Sequence, residues 1–403
     1  MKDSDLIVAS PIPFGDMTRG EAKELADTVG AGVARTVDAF NGPAPRRVRS
    51  NPEGVYDRFY TPLGKLVIDG SILARVGGAA AKADTIAKIN ETLDRLLEAV
   101  KVEDEPFKTR TGKPKGAPYR NAIAKLKAWL ADPANAKLPS KIFTKGNRKL
   151  PFWSFSTLPG TTCPGAAGCL TKGKFGGKDG RTWIEDKPGR RGYCYSFSGW
   201  RNVYPYFRQL QNTILLRLGH GEIIRKAWAK LPGGTTVRLY VDGDIDSMET
   251  LDFWMERCFE RPDLNVYGYS KSWHLFVNRH KAGKPWPKNY LLNISDASRF
   301  WVIPEMREAI QKVPVYRGIF ATIEGVKSKM PHLKESDDFA GANNKKLAGH
   351  ATHMSEVVAE TKKQIGAGAK VFPCPGKCAF CDGGVHACGS EKRKGWIIAI
   401  AVH

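Results

Sequence analysis

The pattern of a complete strand–helix–strand unit is found in residues 236–269, TVRLYVDGDIDSMETLDFWMERCFERPDLNVYGY. The run Thr236–Val241 is apolar and partly β-branched, as expected of a buried strand, and apolar residues recur at helical spacing over Ser247–Phe259. A second short run, Asn265–Tyr269, predicts another strand. Because two strands joined through a helix pair in parallel, this stretch predicts an α/β fold.

The same alternation continues on both sides of this unit. It predicts further strands at Phe152–Thr157, Tyr290–Ile294, Val315–Ile323 and Lys370–Phe372, with helical segments between them. Six strands separated by helices predict a partial (β/α)6 TIM-like barrel over residues 150–403, with an open doubly wound sheet as the alternative. In such a barrel the loops after the carboxyl ends of the strands build the functional site, so the residues in those loops are the first candidates.

Residues 1–149 predict a mainly helical, basic N-terminal region. Apolar stripes at helical spacing cover residues 86–100 and 119–131, and residues 101–150 contain thirteen Lys or Arg against four acids. The whole chain has 63 Lys and Arg against 41 Asp and Glu, a net charge of +22. An excess of this size favours a polyanionic partner, and nucleic acid is the foremost candidate.

Seven of the eight cysteines form two groups in the sequence. The C-terminal segment 374–388 contains Cys374, Cys378, Cys381 and Cys388, and the segment 163–194, after the first predicted strand, contains Cys163, Cys169 and Cys194. No secretory signal and no membrane-spanning apolar run is predicted, so we expect a cytoplasmic protein, in the host cell if a phage encodes it. Clustered thiols there favour metal ligation over disulfides, and thiolates suit both zinc and iron–sulfur clusters.

Two further sets of residues are candidates for function. Asp242 and Asp244 follow the strand Thr236–Val241 directly, where two carboxylates can serve as acid and base or one can bind a ribose or a metal. Asp246 is expected to cap the next helix. A basic insertion interleaved with aromatic residues favours contacts with phosphates and bases, through Lys172, Lys174, Lys178, Arg181, Arg190 and Arg191. The pair His350 and His353 is expected at the surface.

The chain resembles a phage family known as gene product 88, which has no assigned activity. The resemblance covers most of residues 150–390 and is carried by Cys163-Pro-Gly-Ala, Cys169, Cys194-Tyr195, Val237-Arg238, Asp242-Gly243-Asp244, Ser247, Tyr267-Gly-Tyr269-Ser270-Lys271 and the cysteine-rich tail. It implies a phage or mobile-element protein.

The spacing Cys374-x3-Cys378-x2-Cys381 also resembles radical S-adenosylmethionine enzymes. That resemblance implies an iron–sulfur cluster with S-adenosylmethionine as a cofactor and a partial barrel, although there the motif follows the first strand. Our leading expectation is therefore a metal-dependent enzyme acting on nucleic acid or nucleotides. The alternatives are a base-exchange enzyme similar to tRNA-guanine transglycosylase with structural zinc, and a non-catalytic nucleic-acid-binding protein with a structural metal. The sequence leaves the oligomeric state open.

Overall fold

A computed structural model describes residues 116–146, 152–159, 162–166, 173–176, 182–185, 203–331, 345–376, 378, 381 and 387–401, with separate helical positions between 83 and 97. Its helices are α1 Gly116–Ala131, α2 Val203–Arg217, α3 Gly221–Ala229, α4 Met248–Glu260, α5 Trp273–Lys281, α6 Pro304–Gln311 and α7 Lys345–Ile365. Two short 3-10 helices, Ala387–Gly389 and Glu391–Arg393, follow α7 in the chain.

The strands are β1 Thr144–Lys145, β2 Trp153–Phe155, β3 Gly173–Gly176, β4 Thr182–Glu185, β5 Thr236–Leu239, β6 Asn265–Ser270, β7 Tyr290–Ser295, β8 Tyr316–Ile323, β9 Val371–Pro373 and β10 Ile397–Ala401. Eight of them form one sheet in the order β1-β2-β5-β6-β7-β8-β10-β9, and β3 and β4 form a separate hairpin. Within the large sheet β1 pairs antiparallel with β2, and every other neighbouring pair is parallel.

The α/β class is confirmed, but the large sheet does not close. It ends at β1 on one side and β9 on the other, so a TIM-like barrel is not confirmed. The physical difference lies in the last strand, β10, which inserts between β8 and β9 and pairs with both. β9 is therefore an edge strand of an open sheet, and the last strand does not pair with the first as it would in a closed barrel.

The helix α4 shows how local sequence sets one of these elements. Its N-cap is Ser247, whose side chain accepts a hydrogen bond from the Thr250 backbone N–H at 3.2 Å. The expectation that Asp246 caps this helix is wrong, because Asp246 instead forms an ion pair with Arg217 of α2. Apart from this cap, the predicted range Ser247–Phe259 differs from the helix by one residue at each end.

A single large core lies between the sheet and its helices. It contains aromatic side chains from several elements, among them Phe143, Phe155, Trp228 and Trp254, whose rings contact one another. The N-terminal helical residues pack into this same core through Ile89, Leu93, Ile123, Leu126, Trp129 and Leu130. In the part of the chain that the structure describes, no helix is both long enough and apolar enough to cross a membrane.

The connection from β9 to β10 is the point at which the sheet changes direction. From β2 to β8 successive strands advance one way across the sheet, and α7 carries the chain beyond β8 to β9. The next strand, β10, lies one place back. Since parallel crossovers are right-handed, a backward step requires a connection on the sheet face opposite to the one that the forward crossovers cover. That connection is the cysteine segment, residues 374–396.

Candidate metal centre

The cysteine segment covers the face of the sheet that the helices leave open. On this face Phe152, Tyr267 and Leu291 are buried, and the side chains of Cys378 and Cys388 pack against them. An adjoining cluster contains Cys381, Ala387 and Ile398, with Phe320, Phe372, Cys374 and Cys388 packed around it. Cys388 belongs to both clusters, so all four C-terminal cysteines lie together in one apolar layer.

Backbone contacts hold the segment to three strands. The Cys374 N–H donates to the Ala399 carbonyl of β10 at 2.7 Å, and the Asn293 amide of β7 donates to the Cys388 carbonyl at 2.8 Å. Gly389 lies against β6, where a β-carbon would stand 3.0 Å from the Tyr267 ring. The segment thus begins beside the end of β9 and crosses the middle of the sheet.

Of two hydrogen bonds within the segment, one joins the backbones of two cysteines and the other is directed at a thiol. The Cys381 N–H donates to the Cys378 carbonyl at 3.1 Å, and the Ala387 N–H points at the Cys381 Sγ at 3.4 Å. A backbone N–H directed at sulfur favours the thiolate over the thiol, since it interacts with the added negative charge. Cys381, which is 6% exposed, therefore lies in a turn that is prepared for a negatively charged sulfur.

Two arginines, one half-buried and one fully buried, lie on the same face of the sheet. The Arg238 guanidinium lies 4.4 Å from the centre of the Tyr269 ring, and its buried Nε has no hydrogen-bond partner. Arg317 is fully buried, with Nε 3.4 Å from the Ser390 carbonyl and Nη2 unpaired. Within the described ranges neither guanidinium forms an ion pair with a carboxylate. A buried cation is costly without a compensating anion.

Burial also acts on the thiols. It raises the pKa of Cys374 to about 11, an effect opposed by a backbone N–H of Gly376 and strengthened by the neighbouring Cys381 and Cys378. It raises the pKa of Cys388 to about 12, although a hydrogen bond with Tyr269 and the nearby Arg317 and Arg238 act the other way. For Arg238, burial by itself lowers the pKa, but Tyr269, Tyr267, Cys388 and Cys378 together raise it.

The donor set fits a thiolate-bound metal chemically. Four thiols share one dry layer, a backbone N–H is directed at one sulfur, and two guanidiniums without a carboxylate partner face them. A metal bound by four thiolates carries net negative charge, which the two arginines would balance. Among the described residues, no three His, Cys, Asp or Glu side chains converge on one point. The fit therefore rests on chemistry and charge.

Cys163 is the residue of the first cysteine group that the structure describes, and it lies elsewhere, beyond the carboxyl ends of the strands. Cys163 is buried beside Thr162, whose hydroxyl lies 4.0 Å from the Cys163 Sγ. Its loop is fixed by Gly165, whose carbonyl accepts from the Arg299 N–H at 2.8 Å and where a β-carbon would lie 1.8 Å from the Lys271 carbonyl oxygen. Cys169 and Cys194 fall outside the described residues.

The two candidate catalytic acids are held by structural contacts. Asp244 is 3% exposed; its Oδ1 accepts from the Ile245 N–H at 2.7 Å, and its Oδ2 accepts from the Lys271 N–H at 2.8 Å and the Ser272 hydroxyl at 3.2 Å. Burial raises the pKa of Asp244 to about 6 against these bonds. Asp242 is half-buried and accepts from the Gln209 amide at 2.9 Å. Both acids connect loops at the carboxyl edge, and their catalytic role stays a prediction.

The basic insertion contains a β-hairpin, of which the structure describes the two strands. Strands β3 and β4 pair antiparallel, with Phe175 opposite Trp183 and Lys174 opposite Ile184. Lys172, Lys178, Arg181, Arg190 and Arg191 lie outside the described residues. The role of all six basic residues in nucleic-acid binding stays a prediction.

Sequence reasoning missed three features of this site. The strand β10 is indicated by the apolar run Ile397–Ala401, which is typical of a buried strand. Arg238 stands inside the otherwise apolar strand β5, and a charge in that position signals a buried partner. The expectation that both His350 and His353 lie at the surface is wrong for His353, which is 1% exposed.

Comparison with known proteins identifies one family. The family model described as Gene product 88 matches residues 125–384, more than half of the 403 residues. Searches of curated proteins and of solved structures each gave no match. The matched range contains the strands β1 to β9, Cys163, both candidate acids, Arg238, Arg317 and three of the four C-terminal cysteines. The chain therefore belongs to the Gene product 88 family of phage proteins.

Proposed function

We propose that this protein binds nucleic acid and that Cys374, Cys378, Cys381 and Cys388 hold a metal centre on its sheet. The observation that carries the metal centre is the layer in which four cysteines face two arginines, the half-buried Arg238 and the buried Arg317. The metal, zinc or iron in an iron–sulfur cluster, would bind the thiolates and fasten the crossover between β9 and β10 to the sheet. Structural zinc in small domains contributes on the order of 10 kcal/mol to folding.

The number of cysteines favours a closed centre. Radical S-adenosylmethionine chemistry needs three thiolates and one open iron, whereas Cys388 packs with Cys374 and Cys381 and supplies a fourth thiol. Sites with four protein thiolates are typically structural or, for iron–sulfur clusters, electron-transferring. The internal hydrogen bonds of Asp244 likewise favour a supporting role for that acid over acid–base catalysis. Of the three functions expected from the sequence, the binding protein with a structural metal is thus supported best.

The charge of the chain supports a nucleic-acid partner. A net charge of +22 produces a strong attraction for a polyanion, and the surplus is concentrated in residues 101–150 and in the insertion that contains β3 and β4. Within the described part of the first block, Lys125, Lys137, Lys141 and Lys145 are exposed. Their side chains are accessible to phosphates without any rearrangement of the core.

The metal centre is tested by anaerobic purification followed by metal analysis and ultraviolet–visible spectroscopy. We expect a stoichiometric centre, either colourless zinc or a brown iron–sulfur cluster, that is lost in Cys388→Ser. The matched control is Cys258→Ser: Cys258 is also buried, but it lies in α4 within the helix-side core and should leave the metal content unchanged. A protein that carries no stoichiometric metal after anaerobic purification would falsify the proposed centre.

Nucleic-acid binding is tested separately by fluorescence anisotropy with labelled single- and double-stranded oligonucleotides. We expect binding that weakens steeply with salt and survives Asp244→Asn. Base exchange or S-adenosylmethionine cleavage that disappears in Asp244→Asn would instead support one of the enzyme alternatives. Equal affinity at 50 and 200 mM salt would contradict the polyanion argument.

A further inference from the structure

Two histidines on α7, apart from the four cysteines just described, each have a buried ring nitrogen. His353 is 1% exposed, and one turn further along the helix Val357 is buried in a small core with Ile323 and Ala401, the last residues of β8 and β10. A crossover helix runs antiparallel to the strands that it connects. His353 and His350 therefore lie beyond the carboxyl ends of those strands.

The hydrogen bonds of His353 determine where its ring proton lies. Nδ1 is 2.9 Å from the Ser328 carbonyl oxygen, which only accepts, so Nδ1 carries the proton. The Ser328 hydroxyl donates to Glu356 Oε2 at 2.9 Å and thus accepts from Nδ1 at its 3.1 Å contact. In the neutral ring Nε2 is then an unprotonated acceptor, and this buried atom has no hydrogen-bond partner.

His350 presents a second unpaired nitrogen. Its Nε2 is also buried and without a hydrogen-bond partner. Burial lowers the pKa of His350, and the nearby His353 lowers it further. Residues three apart lie on the same side of a helix, so the two imidazoles are neighbours. Two adjacent buried ring nitrogens without a partner are unusual in a folded protein, and such groups need an explanation.

The loop after β8 forms the surroundings of the pair. The loop after β8 runs along α7, with Ser328 held by Glu356 and Pro331 packed against Gly349. On its other side Met330 contacts Gly376 at the start of the cysteine segment. The connection after β8 and the one after β9 leave on opposite faces of the sheet. In open α/β sheets, ligands bind outside the carboxyl ends of the strands at such a reversal.

We propose that His350 and His353 bind a divalent transition-metal ion, of the zinc and cobalt class, through their two Nε2 atoms. An Nδ1–H that donates to a backbone carbonyl is the usual support of a metal-ligating histidine, because it fixes the tautomer and the ring orientation. Imidazole nitrogen suits these ions. Two protein ligands leave coordination positions for water or for an anionic group such as a phosphate.

The test observes the imidazole nitrogens directly, in the full chain labelled with ¹⁵N-histidine and titrated with zinc. We expect the Nε2 resonances of His350 and His353 to shift together, with a common affinity. In His350→Asn, where the replaced side chain is half-buried and the fold is retained, zinc binding at His353 should weaken at least about tenfold. The control His280→Asn, at the end of α5, should leave both shifts intact.

Two outcomes overturn the proposal. Either both Nε2 resonances stay in place at saturating zinc, or the shift of His353 is unchanged in His350→Asn. The first outcome would identify the pair as a packing feature of α7, and the second would make His353 a lone ligand. Repeating the titration in Cys388→Ser separates this site from the cysteines: the histidine shifts persist there whether or not the four thiols hold a metal.

Discussion

Arg238 and Arg317 are the residues on which the character of the cysteine layer depends. On the open face of the sheet Arg317 is buried and Arg238 is half-buried, and each has a buried guanidinium nitrogen without a hydrogen-bond partner. The thiols of Cys374 and Cys388 are within electrostatic reach. An apolar residue in either position would avoid the cost of burying a cation. The arrangement is understandable if the arginines face negative charge, as they do when the thiols are ionised by a metal.

Replacing Arg238 by methionine tests this dependence. We expect Arg238→Met to bind the metal at the cysteines at least about tenfold more weakly. The metal-free variant should be as stable as the wild type or more so, because the substitution removes a partly buried guanidinium that has no carboxylate partner. The measurements are metal retention against a chelator and urea unfolding of the metal-free protein. Arg257→Met is the matched control: Arg257 is buried but bound to Glu260 at 2.8 Å, so it should lose stability and keep the metal. Unchanged metal retention in Arg238→Met would reject the counter-ion role.

Asp244 gives a prediction for pH. Burial raises its folded pKa to about 6, above the ordinary value of 3.8, so the folded state binds the proton more tightly than the unfolded state does. Its contribution to stability is therefore present in full below pH 4 and declines as the pH rises to 6, by about 3 kcal/mol in all. The stability difference between wild type and Asp244→Asn, measured by urea unfolding from pH 4 to pH 7, should decline accordingly. A difference that is constant over this range contradicts the raised pKa.

For single residues, the sequence predicts position in the fold better than it predicts the contacts and the role of the side chain. Position after a strand was enough to place Asp242 and Asp244 at the carboxyl edge. It did not reveal that the Lys271 N–H and the Ser272 hydroxyl donate hydrogen bonds to Asp244, because those donors come from a loop 27 and 28 residues away. Likewise, the spacing of the cysteines indicated a shared site, whereas Arg317 and Tyr269 join it only through sheet register.

At the scale of elements, β10 decides how the cysteine segment is held. Its neighbour β8 approaches it closely at Gly318, where a β-carbon would stand 2.4 Å from the Trp396 carbonyl oxygen. Glycine is therefore required for the chain to enter β10 beside β8. The adjacent Gly395 N–H donates to the Arg317 carbonyl at 2.6 Å, which fixes the start of β10 at the same level as the buried arginine.

The variant Gly318→Ala should separate these two strands at their start. We expect a loss of about 1–3 kcal/mol in unfolding free energy, typical of an overpacked site, and faster amide exchange at Gly395. Gly368→Ala serves as the control, since a β-carbon there has no atom within 4 Å and should cost little. Equal stability of the two variants would show that β8 and β10 are less tightly joined than the contact indicates.

Most elements were predictable because each rests on a local pattern. The strands β5, β6 and β7 and the helices α4 and α5 follow apolar periodicity and agree with the predicted ranges to within a few residues. The strand β10 is not among the predicted strands although its apolar pattern is strong, because it follows the cysteine segment and lies outside the strand–helix alternation on which the other predictions rest. Without β10, six parallel strands favour a barrel; with it, the sheet reverses direction and remains open.

At the scale of the whole molecule, the reversal links the two candidate metal sites. The step back from β9 to β10 sends the cysteine segment over the open face, where Gly376 at its start contacts Met330 of the loop after β8. The four thiols lie under the segment, and His353 contacts the same loop through Ser328. Neither position follows from the spacing of the ligands along the chain, since both depend on the order of strands in the sheet.

The charge of the whole molecule leads to the final prediction, the salt dependence of nucleic-acid binding. If the insertion supplies six of the phosphate contacts, neutralising Lys172, Lys174, Lys178, Arg181, Arg190 and Arg191 together should reduce the slope of log affinity against log salt by about 4 for a single strand. The slope is measured by anisotropy between 50 and 200 mM salt. A control that neutralises Lys226, Lys230 and Lys288, exposed on α3 and before β7, should change the slope by much less. A sixfold variant with the wild-type slope would assign the contacts to another surface, with the basic block at residues 101–150 as the next to be tested.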